Sequence, residues 1–249
     1  MSRKSYLLIV DDETELSDCL KDRFELEGFN VLTAASGNEA FEIYKQNDIC
    51  AVISDVRMPN GDGIELLKNI RNESHDTPVI NFITAFTDIS TRDAYELGVD
   101  GIFSKPFDFQ VILNSIKRLL MDRELRWSKT QLNNLPELTL KETYLSLEIS
   151  LESHIIGIGR GGISLIVKGD IPFKEEEIAF ELKFSGEPPQ SIIGSGTLRW
   201  HDSVDSQTHV FGIEFMSLDD CSRALIIYWL EKNDPVAFIP SLKKIEPVE

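Results

Sequence analysis

Residues 5 to about 120 alternate short apolar runs with amphipathic stretches. Residues 7–10, 31–34, 51–54, 79–83 and 101–104 read as strands, and 13–27, 38–47, 63–72 and 89–97 as helices. In the first helix Leu16, Leu20 and Phe24 recur at helical spacing, with Cys19 beside them. Strands that are apolar throughout have no polar side to offer water, so both sheet faces must be covered. This predicts an α/β doubly wound parallel sheet. Gly28 and Gly98 mark helix ends, and Asp108 opens a last helix over 108–120. Its stripe is Phe109, Ile112, Leu113, Ile116, Leu119 and Leu120.

The pattern then changes. Polar residues continue without Gly or Pro as far as Pro136, and Leu113, Leu120 and Trp127 recur seven apart. Residues 123–137 read as a linker, either as a helical extension that Pro136 would end or as the tail of a helix that covers only its own domain. From Leu138 onward apolar and polar residues alternate with a period of two, over 144–149, 178–184, 192–200 and 210–215. Turn signals stand at Gly169-Asp170 and Gly186-Glu187-Pro188-Pro189. Short strands at this spacing predict a small antiparallel β-barrel. Ser217-Leu218-Asp219-Asp220 is a helix start, and Leu225, Ile226, Trp229 and Leu230 form the buried stripe of a C-terminal helix. Pro235, Pro240 and Pro247 mark an extended tail. The expected layout is a first domain over 1–122, a linker over 123–137, a second domain over 138–234 and a tail over 235–249.

Composition narrows the function. The chain has 249 residues and a formal net charge of -17. Residues 1–120 hold 12 Lys/Arg against 21 Asp/Glu, and 121–249 hold 13 against 21. Neither half offers the basic face on which nucleic-acid affinity rests, so no DNA partner is expected. No segment suits a signal peptide or a membrane span, which gives an expectation of a cytoplasmic protein without membrane insertion. Cys19, Cys50 and Cys221 are expected as buried free thiols. The four histidines show no metal-ligand spacing.

Candidate chemistry gathers at strand ends. Asp11 and Asp12 end the first apolar run, Asp55 ends the third, and Lys105 follows the fifth. In an open α/β sheet such positions converge on the crevice at the carboxyl ends of the strands. Crowded carboxylates repel unless a hard cation joins them, and Mg²⁺ keeps water positions open for a phosphate. The assembly suits phosphorylation of an aspartate.

Asp11-Asp12, Asp55 followed by Met58-Pro59 and Gly63, Thr84-Ala85, and Lys105-Pro106-Phe107 together resemble a response-regulator receiver domain, of flavodoxin-like fold. The resemblance implies that Asp55 is the phosphoacceptor, attacking a phosphoryl group in line. It implies that Asp12, Asp55 and the Arg57 carbonyl ligate Mg²⁺, with Asp11 holding a metal water. Lys105 would pair with phosphoryl oxygens, and Thr84, followed by Ala85, would supply a hydroxyl to the phosphate. Lys105-Pro106 resembles the family's cis peptide. Ile102 departs from the pattern, since family members usually place Tyr or Phe there; the aromatic Phe103 stands one residue later, on the opposite strand face. An aspartyl-phosphate phosphatase would need a second acid two residues after the nucleophile, where Arg57 stands. The chain is therefore expected to act on itself at Asp55 rather than as an enzyme on an external substrate.

Residues 138–232 resemble a PilZ domain, which commonly binds cyclic di-GMP. The resemblance rests on the run from Gly157 to Leu165, on Gly196-Thr197-Leu198-Arg199-Trp200, and on Phe211-Gly212-Ile213-Glu214-Phe215. Binding members carry an R-x-x-x-R arm and a D/N-x-S-x-x-G strand motif. Here Gly157 stands in place of Asp or Asn and Gly159 in place of Ser; only Gly162 fits, and residues 136–143 hold one basic residue, Lys141. Arg160 remains as a nearby cation, expected to face solvent. Each bidentate arginine contact is worth about 1–3 kcal/mol, so this degenerate site is not expected to take cyclic di-GMP. The expected partners are a histidine kinase or phosphotransfer protein and a downstream protein. A cyclic di-GMP receptor with a rearranged site and a phosphorylation-driven homodimer stand as alternatives.

Overall fold

Apolar runs bounded by capped helices set the architecture of the first unit. The computed structural model describes residues 5–85, 88–128, 139–169 and 177–242, and contacts divide the chain into a unit ending at Met121 and one beginning at Asp122. The first unit runs β1 (Tyr6–Val10), α1 (Thr14–Leu26), β2 (Val31–Ala34), α2 (Gly37–Gln46), β3 (Ile49–Asp55), α3 (Gly63–Glu73), β4 (Val79–Thr84), α4 (Thr91–Leu97), β5 (Gly101–Ser104) and α5 (Phe109–Leu119). Its sheet has the order β2-β1-β3-β4-β5, and every pair is parallel. Leu7, Leu8, Val52, Ile80 and Phe82 are almost wholly removed from water. The expected doubly wound sheet is thus observed.

Side-chain caps fix where the helices begin. Ser36, Asp62, Ser90 and Asp108 each accept a hydrogen bond from a first-turn amide, satisfying donors that have no partner within the helix. The Ser90 cap starts α4 later than the sequence pattern suggested. A buried ion pair braces the end of α3: the Arg71 guanidinium meets Asp100 Oδ2 at 2.7 Å and donates to the carbonyls of Gly98 and Pro78.

The second unit opens with a short helix, α6 (Arg123–Arg126), followed by β6 (Thr139–Tyr144), α7 (Leu147–Glu152), β7 (Ile156–Ile158), β8 (Gly162–Lys168), β9 (Glu177–Phe184), β10 (Gln190–Ser203), β11 (Thr208–Leu218) and α8 (Asp220–Asn233). The sheet order is β6-β9-β10-β11-β8-β7. It forms a half-barrel with α8 at its C-terminal end. Register shifts in β10 between Ser195 and Gly196, and between Leu198 and Trp200, mark bulges of the kind that bend a strand. The sheet is mixed rather than wholly antiparallel, because β6 pairs with β9 in parallel.

Four further expectations are corrected. Residues 145–149 do not continue as a strand beyond Tyr144, the end of β6: Ser146 accepts from the Ile149 amide and caps α7, which buries Leu147 and Ser150. Among the described residues, the segment after α5 does not continue that helix, and the part of it from 129 to 137 lies outside them. Leu120 ends α5, and Trp127, fully buried, joins the second unit's core, its ring edge-on to Phe215 at 5.5 Å between centroids. The cysteines are free thiols, but Cys19 and Cys221 are exposed and Cys50 is half-buried. On α8, Ile226 and Leu230 are buried, while Leu225 and Trp229 are only partly so. No helix among the described residues is long and apolar enough to cross a membrane.

Candidate functional site

β1 and β3 are neighbours, and the strand order reverses between them, so their carboxyl ends open onto one crevice. Asp11 and Asp12 leave β1 there and Asp55 closes β3. One carboxylate oxygen from each lies within 4.8 Å of the others. At that separation two unit charges repel by about 3–4 kcal/mol at an effective dielectric of about 20. Lys105 relieves part of this, its Nζ lying 2.7 Å from Asp55 Oδ2 and 3.1 Å from Asp11 Oδ2. Burial works to lower the Lys105 ammonium, but its hydrogen bonds to Asp55 and Asp11 together hold it above the ordinary lysine value. Burial also raises the Asp11 carboxyl, against the opposing pull of the Glu13 amide and of Lys105. Three convergent oxygen donors with excess negative charge fit a hard dication such as Mg²⁺.

The Asp55 carboxylate is aimed by its own loop. Oδ1 accepts from the amides of Val56 and Arg57, which leaves Oδ2 towards Lys105. Gly63 allows α3 to begin against the acceptor: a Cβ at this position would lie 2.2 Å from the Asp55 carbonyl oxygen. The Lys105 amide donates to the Thr84 carbonyl, and the Lys105-Pro106 peptide is cis.

Thr84 is buried, and its hydroxyl donates to Asp88 Oδ2 at 2.6 Å. The other Asp88 oxygen accepts from Arg57 Nε at 3.3 Å, so the exposed Arg57 side chain joins the acceptor loop to the Thr84 loop. Ala85 is exposed. Thr84 stands opposite Ser104 in the β4–β5 register and Phe82 opposite Ile102, which puts Thr84 and Ile102 on one face and Phe103 on the other. The sequence reading missed Asp88. Four residues beyond Thr84, just before a helix, it carried no signal beyond an ordinary loop carboxylate.

In the second unit, Gly157, Gly159, Arg160 and Gly162 do lie together, along β7 and the turn into β8. Arg160 corrects an expectation: it is 3% exposed, not a solvent-facing charge, and its Nε donates to the Val236 carbonyl at 2.9 Å. Residues 236–242, expected within an extended tail, lie against this turn with Phe238, Ile239 and Leu242 buried. The Arg199 guanidinium pairs with the buried Glu214 carboxylate across β10 and β11.

Comparison with known proteins agrees with this geometry. A family model for the response regulator receiver domain matches residues 7–117, and one for the PilZ domain matches residues 136–232. The chain is 37% identical over 128 residues to the transcriptional regulatory protein CpxR of Escherichia coli (strain K12), covering 51% of this chain and 53% of that protein. It is 34% identical over 116 residues to the response regulator SaeR of Staphylococcus aureus (strain USA300), covering 47% and 50%. The chain therefore spans about half the length of these curated relatives. A solved response regulator receiver domain protein from Clostridium thermocellum is 27% identical, with a TM-score of 0.45, over 49% of this chain and 98% of that one. The two family matches identify the chain as a response regulator receiver domain over residues 7–117 followed by a PilZ domain over residues 136–232.

Proposed function

We propose that the protein is a phosphorylation-controlled response regulator in which Asp55 takes a phosphoryl group from a histidine kinase, a phosphotransfer protein or a small phosphodonor. The observation that carries this reading is the bridge from Lys105 to both Asp55 and Asp11, beside an aimed acceptor oxygen. In the reaction an Asp55 oxygen bonds to phosphorus as the bond from phosphorus to the donor breaks, and the electron pair leaves with the donor. Lys105 neutralises charge on the transferring oxygens. Asp11, Asp12, Asp55 and the Arg57 carbonyl would hold Mg²⁺, which when bound supplies further neutralisation of phosphoryl charge. Thr84 then leaves Asp88 to bond the acyl phosphate. The added charge of about -1.5 to -2 at neutral pH favours that move.

Output runs through protein binding by the second domain, in the cytoplasm, and not through DNA, since both halves carry net negative charge. Cyclic di-GMP is not its ligand, because Gly157 and Gly159 replace the polar anchors and the Arg160 guanidinium is engaged by the chain itself. Intact mass after treatment with acetyl phosphate and Mg²⁺ should show one added phosphoryl group that Asp55→Asn removes. Equal labelling of Asp55→Asn would sink the assignment. Calorimetry with cyclic di-GMP should give no heat at micromolar concentrations, and submicromolar binding would overturn the second part.

A further inference from the structure

Asp234 ends α8 in the left-handed region, with φ 42°, and the chain turns back towards the turn at 159–161. Two main-chain bonds hold it there: the Arg160 amide donates to the Ala237 carbonyl at 2.9 Å, and the Gly161 amide to the Phe238 carbonyl at 3.0 Å. Arg160 adds its bond to the Val236 carbonyl, and its guanidinium carbon lies 5.7 Å from the Phe238 ring centroid, within cation–π range.

The glycines of this turn are shaped to the returning segment. A Cβ on Gly161 would lie 1.9 to 2.5 Å from three atoms of the Phe238 ring, and one on Gly159 would lie 2.4 Å from the Phe238 carbonyl oxygen and 2.8 Å from that of Ala237. At both positions the nearest neighbours all belong to residues 237–238, not to the half-barrel. A Cβ on Gly157 would approach Pro240 at 2.8 Å, and one on Gly162 would approach Ile239 at 2.8 Å, although each of these also meets the sheet. Main-chain bonds for affinity and fitted side-chain pockets for selectivity are the physical pattern of peptide capture at a sheet edge. Pro240 restricts the backbone freedom of the residue before it, which lowers the entropy lost on docking.

We propose that the turn at 157–162 is a peptide-docking groove whose occupant is the chain's own segment 236–242. The glycines that replace the nucleotide anchors are the floor of this groove. The amides of Arg160 and Gly161 are spent on peptide carbonyls, so an anion approaching this face meets Phe238 and carbonyl oxygens.

Hydrogen exchange on the full chain tests this, comparing the wild type with Gly161→Ala, Phe238→Ala and the double variant. Gly161→Ala should speed exchange of the Arg160 and Gly161 amides by about tenfold or more, equivalent to about 1.4 kcal/mol of docking free energy. Exchange across β9 and β10 should not change. In the Phe238→Ala background, where the ring is gone, Gly161→Ala should add little, because the two residues act through one contact. Unchanged protection at 160–161 in Gly161→Ala would overturn the proposal. So would a Gly161→Ala effect that persists undiminished beside Phe238→Ala, or exchange rising equally across β9 and β10, since either would assign the glycine to the half-barrel.

Discussion

The Thr84 hydroxyl donates to Asp88 at 2.6 Å, and the same carboxylate takes the Arg57 side chain. Asp88 thus engages the hydroxyl and ties it to the loop that follows Asp55. In the proposed reaction, removing it would free Thr84 for the acyl phosphate. Asp88→Ala should speed labelling by acetyl phosphate about 5–10-fold, the equivalent of about 1–1.4 kcal/mol for a hydrogen bond to a charged acceptor that is partly exposed. Asp88→Asn keeps an acceptor and should fall between the two. Labelling of Asp88→Ala at or below the wild-type rate would show that Asp88 does not restrain Thr84.

Asp11 makes the acidic crevice unfavourable for the metal-free fold. Burial raises its carboxyl above the ordinary value of 3.8, so the folded state binds this proton more tightly than the unfolded chain does. Such a group contributes stability below its unfolded value and loses it as pH rises through the folded one. Asp11→Asn should therefore melt higher than the wild type in metal-free buffer at neutral pH, and the difference should vanish towards acid. Mg²⁺ should reverse the order, since an ion present at about 100 times its Kd stabilises the wild type by about 2.7 kcal/mol. A lower melting temperature for metal-free Asp11→Asn would contradict this account.

Arg71 and Asp100 are 2% and 3% exposed in their side chains, so neither charge can turn to water if the other is lost. Arg71→Leu should cost about 3–5 kcal/mol in denaturant unfolding of the first unit, because it leaves the Asp100 carboxylate buried without its guanidinium. Arg71→Leu combined with Asp100→Asn should recover part of that loss. A double variant no better than Arg71→Leu alone would mean that packing, not charge, sets the cost.

The first sheet was legible because strands buried on both faces leave an unbroken apolar signature, and the acceptor residues sit where such strands end. The second unit was legible only where a strand had one wet face. Residues 144–149 alternate as a strand does, but a local bond from Ile149 to Ser146 caps a helix instead, and Leu145 and Ile149 are both exposed. Asp88 and the docking of the tail were missed for a different reason. Arg160 and Val236 are 76 residues apart, and nothing in the local pattern around either one announces a contact made by a turn and a returning chain. Gly157 and Gly159 read as missing ligand groups, whereas the space beside Gly159 is taken by the Ala237 and Phe238 carbonyls and that beside Gly157 by Ser164 and Pro240.

Trp127 illustrates the same limit and gives the last prediction. By spacing it continued the stripe of Leu113 and Leu120, yet its side chain is fully buried with Phe215, and its carbonyl accepts from the Leu218 amide at 3.0 Å. These bonds make the residue part of the half-barrel's core, although the sequence reading placed it in the linker. Trp127→Ala should cost the second unit about 3–5 kcal/mol, the range for emptying a large buried aromatic site. Denaturant unfolding followed through the second unit should report the loss, while acetyl phosphate labelling of Asp55 should continue at the wild-type rate. Trp127→Phe, which keeps a ring against Phe215, should recover most of the stability. A Trp127→Ala variant as stable as the wild type, or one that lost Asp55 labelling instead, would return this residue to the connector.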